Sequence, residues 1–93
     1  MNEKFKNIPV EEDTHIILSS PMKWGDLDVV YQIWSWEGIK AESIIFLNDD
    51  VKDIDDETLK ADVNDSPIVK DKGKLTMSRG EEFTFVNFNF IAS

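Results

Sequence analysis

Asp53, Asp55 and Glu57 alternate along an acidic run, the spacing at which an EF-hand loop presents its first three oxygen ligands to calcium. Such a loop needs a glycine at its sixth position and a glutamate at its twelfth. Those positions hold Thr58 and Asn64. The match fails at its two most diagnostic places, so no metal is expected and the acids read as a solvated face.

His15 is the only histidine. Histidine is the usual general base near neutral pH, but His15 opens a strand-like segment with no motif around it. No catalytic residue is assigned, and an enzyme is the last of the function classes. The chain has no cysteine, hence no disulfide framework, no thiolate nucleophile and no cysteine metal site. Its four glycines form no phosphate-cradling run, so no nucleotide or other cofactor is expected. Paired-carboxylate chemistry has no distinguishing signal, because nineteen acids offer too many pairs for the sequence to single one out.

What remains is recognition. The formal charge is −9, the wrong sign for phosphate contacts or for anionic lipid, so direct nucleic-acid and membrane binding are disfavoured. Asn48 to Asp65 holds eight acids and two lysines. Asp49, Asp50, Asp53, Asp55, Asp56 and Glu57 crowd into nine positions of it and are the candidate partner-binding residues, with a basic protein as the expected partner. Four aromatic residues, Trp24, Tyr31, Trp34 and Trp36, are the candidates for a contact surface or a ligand pocket. Lys70, Lys72, Lys74 and Arg79 sit among Asp71, Glu81 and Glu82, which leaves too little positive excess for a nucleic-acid footprint.

These side chains have to be positioned by a scaffold. Asp28 to Leu47 reads as two β-strands joined at Glu37-Gly38, since Gly38 tolerates the positive φ of a tight turn. A two-residue loop pairs Trp36 with Ile39, Trp34 with Ala41, Gln32 with Ser43 and Val30 with Ile45. A one-residue slip would set Lys40 against the indoles. The turn end should be half-exposed and the far end covered on both sides. Thr14 to Ser20 is a further strand, ended by Ser20-Pro21, and residues 21–27 form a loop from which Trp24 folds back over a core edge. Asp55-Asp56-Glu57 suits a helix N-terminus, predicting one short helix near 55–62 with Ile54, Leu59 and Val63 inward.

Ile68-Val69 reads as a brief strand and Lys70 to Lys74 as a charged turn. A second hairpin follows, over residues 74–91. A three-residue loop, Ser78 to Gly80, would gather Leu75, Met77, Phe83 and Phe85 on one face. In the last strand Phe83 and Phe85 are out of phase with Phe88 and Phe90. That calls for a bulge near Val86-Asn87 or for burial on both faces.

The expected fold is α+β and mostly β: a twisted antiparallel sheet of about five strands with one short helix, compatible with curling into a half-closed barrel. It spans 1–93 as a single domain, with 1–13 a mobile or loosely docked lead-in. With no apolar run of signal or membrane length, a cytoplasmic location is expected; a homo-oligomer is allowed. The function expected is a small acidic non-enzymatic protein-binding module of inhibitor, immunity or DNA-mimic type. The alternative is a small-ligand binder with an aromatic pocket between sheet and helix.

Overall fold

The structure is a computed structural model that describes residues 3–92. At its centre is the hairpin of β2 (Leu27–Trp36) and β3 (Ile39–Leu47). Glu37 and Gly38 close it with φ of 45° and 79°, both left-handed, as a type I′ turn requires. The register is the one demanded by the apolar pattern: Trp36 faces Ile39, Trp34 faces Ala41, and Val30 faces Ile45.

Upstream, β1 (Thr14–Trp24) pairs antiparallel with β2. Two expectations are corrected here. The strand does not end at Ser20-Pro21, and residues 21–27 are not a loop: Pro21 lies opposite Val30 and Trp24 opposite Leu27. Because β1 is an outer strand, some of its amide positions face no neighbour, and a proline is tolerated there. The turn is Gly25-Asp26, with Gly25 at φ 60°.

The sheet is completed by β4 (Thr76–Arg79) and β5 (Phe83–Ala92), in the order β1-β2-β3-β5-β4. Every pairing is antiparallel. The sheet stays open, with β1 and β4 as its edges, so no barrel forms.

The second hairpin departs from the expected register. Met77 pairs with Val86 and Arg79 with Thr84, and the Gly80 N–H donates to the Phe83 carbonyl at 2.8 Å. The turn is therefore Glu81-Glu82, not Ser78 to Gly80. Gathering all apolar residues on one face presumed a one-sided strand, whereas β5 is buried on both. Val86 and Phe88 belong to the core beneath the helix, and Phe83 and Phe85 to the opposite face. The two-sided burial explains the phase change of the phenylalanines. The bulge lies further on than Val86-Asn87: Asn89 and Phe90 together oppose Ala41, with Asn89 at φ 55°.

Helix α2 covers Asp56–Asn64, close to the expected span, and is preceded by a single unanticipated turn, α1 (Asn48–Val51). Asp55 caps α2, its Oδ1 accepting from the Thr58 amide at 2.8 Å. Leu59 and Val63, one turn apart, enter the core with Val51, and Ile54 packs against it. Val69 is also in this core, but Ile68-Val69 forms no strand. In place of a ladder, the buried side chain of Asn89 accepts from the Lys70 N–H and donates to the Ile68 carbonyl, each at 2.8 Å.

Helix and loop thus cover one face of the sheet. The other face is covered at one end only, by the N-terminal segment. A 3-10 turn at Glu3–Phe5 sets Phe5 on Phe83 with ring centroids 5.9 Å apart, over Val30 and Ile45 and beside Ile8. Residues 1 and 2 of the expected lead-in, and residue 93, lie outside the described residues. Among the described residues, no helix is long and apolar enough to cross a membrane.

Candidate functional site

Two surfaces carry most of the candidate residues, one on each face of the sheet, and Gly80 borders both. The first is the acidic ridge of α1, the N-terminus of α2 and the link between them. Asp49, Asp50, Asp53, Asp55, Asp56 and Glu57 are all exposed on it. Three of the six have structural duties. Asp55 is the helix cap. Hydrogen bonds from the Thr58 hydroxyl, and then from its amide, hold the Asp55 carboxyl below its ordinary value. Asp56 pairs with Arg79 Nε at 2.9 Å, and Glu57 with Lys60 at 3.2 Å. Asp49, Asp50 and Asp53 take no part in the ion pairs between described residues.

Arg79 reaches this ridge from β4. Besides Asp56, its guanidinium donates to the carbonyls of Val51 and Ile54. It thereby fastens the two helices to the sheet edge, through the last residue of α1 and through Ile54 in the link to α2. A shallow open basin of about 570 Å³ lies here, lined by Asn48, Lys52, Ile54, Asp55, Asp56, Arg79 and Gly80.

Asn48 adds a juxtaposition that the sequence does not display. Its backbone N–H donates to the Glu82 carbonyl at 3.0 Å and its side chain to the Gly80 carbonyl at 2.8 Å. The Glu81-Glu82 turn is thereby fixed against the start of α1, which tethers two acidic segments far apart in sequence to one residue. Glu81 and Glu82 escaped the sequence reading because their neighbours Lys70 to Arg79 masked them in the local charge balance. No periodicity signals such a contact.

The four candidate aromatics divide two and two. Trp24 and Tyr31 are on the helix-covered face. Trp24 stands edge-on to Phe46, centroids 6.1 Å apart, and its Nε1–H donates to Asp62 of α2 at 2.9 Å. It is a half-buried strut that folds over the core edge, as expected. Tyr31 donates its hydroxyl to Glu42. Burial first, and that carboxylate second, raise the phenol well above its ordinary value.

Trp34 and Trp36 are on the opposite face, where they line a cleft of about 410 Å³ with Phe85, Pro9, Val10 and Glu11. The expected aromatic pocket lies between sheet and helix, whereas this opening lies between the sheet and the N-terminal segment. Trp34 is fixed there by its Nε1–H bond to the buried Ser43 hydroxyl at 2.7 Å, which in turn donates to Asn87 Oδ1 at 2.6 Å. Trp36, nearer the turn, is 41% exposed. Val10 and Glu11 lie outside every strand. The apolar residues Phe5, Ile8 and Val10 were the available sign that this segment docks, whereas nothing in the sequence marked Glu11 as a wall residue.

Among the described residues, no three His, Cys, Asp or Glu side chains come together as a group able to hold a metal ion. His15 stands exposed on β1, opposite Ser35. No family model matches this chain, and neither a curated protein nor a solved structure matches it.

Proposed function

We propose that this chain is a non-enzymatic binding module that engages a basic segment of a partner protein through its acidic ridge. The observation that supports this most is the fastening of the Glu81-Glu82 turn to Asn48, the residue that precedes Asp49 and Asp50. The Glu81-Glu82 turn is pinned by Asn48, and α2, which carries Asp56 and Glu57, is capped by Asp55, so much of the negative potential rests on fixed backbone. Fixed, dense charge speeds association with an oppositely charged surface and makes it salt-sensitive. Solubility alone would be served equally well by acids spread over the surface.

The test uses a fluorescent eight-residue arginine peptide as a basic probe, with Asp49, Asp50 and Asp53 replaced together by Asn. These three are exposed and serve neither as cap nor in an ion pair among the described residues, so the fold should be kept, with each change within about 0.5 kcal/mol. The expected result is slower association and a flatter dependence of affinity on salt, with dissociation little changed. Equal binding by both proteins at low and at high salt would remove the ridge from the account.

A further inference from the structure

The cleft on the open face has an uneven lining. Among its lining residues Glu11 is the only one that carries a charge, while Trp34, Trp36 and Phe85 supply ring surface. Three N–H donors on its floor are already engaged within the protein. Trp34 Nε1 donates to Ser43 at 2.7 Å, Asn87 Nδ2 to Thr76 at 3.0 Å, and Gln32 Nε2 to Ser19 at 3.5 Å. An anion would meet a carboxylate and the negative faces of the rings; the indole N–H of Trp34 is spent on Ser43, which leaves of these three side chains only the second N–H of the Asn87 and Gln32 amides. A cation would find both the carboxylate and the indole faces attractive, tryptophan being the best of the aromatic partners. The cleft also shares a rim with the acidic basin, because Gly80 lines both.

We propose that this cleft seats an arginine or lysine side chain of a basic protein segment, the same segment drawn in by the acidic ridge. The occupant rests on the basic-partner reading, whereas the selectivity for a cation is a property of the cleft itself and is tested apart from it. Charge complementarity decides the occupant. The apolar walls would admit a neutral side chain of similar size, but Glu11 and the ring quadrupoles favour the charged one.

The tryptophans themselves report on occupancy. The chain has three. Trp34 and Trp36 line the cleft, while Trp24 sits on the far side of the sheet, bonded to Asp62. The full chain, labelled with nitrogen-15, is titrated with N-acetyl-arginine methylamide and separately with the uncharged N-acetyl-norleucine methylamide, following the three indole N–H signals. The expected result is a saturable shift of Trp34 and Trp36 at millimolar probe, with Trp24 still. The norleucine probe should bind about fivefold more weakly or worse.

Trp36→Ala should abolish the Trp34 response. Glu11→Gln, an exposed change that leaves packing alone, should weaken it about threefold. Equal response to the two probes would make the cleft a plain apolar pocket and overturn the proposal. So would three indoles shifting together, or no shift at about 20 mM probe. Shifts of the same two indoles with protein concentration alone would seat a second copy of the chain there instead, and also overturn it. The Asp49, Asp50 and Asp53 triple variant keeps its cleft response to the single-residue probe even if the ridge reading fails, so the two ideas fall separately.

Discussion

The Tyr31 hydroxyl donates to one carboxylate oxygen of Glu42, and the Asn89 side-chain amide donates to the other at 2.8 Å. Glu42 thus ties β2 to the bulge of β5. Because Asn89 also holds the backbone of residues 68–71, the network reaches the loop that seals the core. Both carboxylate oxygens are served, the condition under which a partly buried charge is tolerated.

Alkaline titration should expose this network. Tyr31 is the single tyrosine, so tyrosinate absorbance reports on it alone. Its folded-state value is raised, so its contribution to stability is complete below pH about 10 and is lost as pH rises from there toward the folded value. Tyrosinate should appear at higher pH in the native chain than in urea; coincident curves would contradict the bonded phenol. Tyr31→Phe should cost about 1.5–3 kcal/mol in urea unfolding, the range for a hydrogen bond to a charged group.

Asp55 should govern the acid side of α2. Its carboxyl is held below the ordinary value by Thr58, so the stabilisation is present above pH about 4 and fades as pH falls through the lower folded-state value. Asp55→Ala should lower Tm by roughly 4 °C at pH 7, and the gap to the native chain should shrink in acid. A gap that stays constant down to pH 2 would mean that the cap acts through shape rather than through charge.

Asn48→Ala should loosen the Glu81-Glu82 turn. Asn48 accepts from the buried Thr84 hydroxyl at 2.6 Å and donates to the Gly80 carbonyl. Its loss leaves Thr84 unsatisfied, at about 1–3 kcal/mol. Amide exchange should accelerate at Gly80 to Glu82 while the β2–β3 hairpin keeps its protection.

The two indoles of the cleft should differ in their structural weight. Trp34→Ala removes a ring bonded to the buried Ser43 and should cost about 3–5 kcal/mol. Trp36→Ala, at the half-exposed turn end, should cost about 1 kcal/mol or less. Equal costs in urea unfolding would show that Trp36 is packed as tightly as its neighbour.

Much of this architecture is local, and what is local was written in the chain. The Glu37-Gly38 turn fixes the partner of Trp36, and alternation then fixes the rest of β2 and β3. Asp55 and the Leu59/Val63 spacing fix α2 in the same way. Where a residue's state depends on what lies across space, the sequence was silent or misleading. Pro21 ends a strand by its own chemistry, yet β1 runs through it because β1 is an edge. The alternation of β5 cannot choose a register for β4, because both of its faces are buried against different partners. Neighbours in sequence cannot show that Glu82 meets Asn48, or that Val10 and Glu11 wall a cleft over Trp34. Those contacts are set by how the segments pack together, and only the tertiary structure decided them.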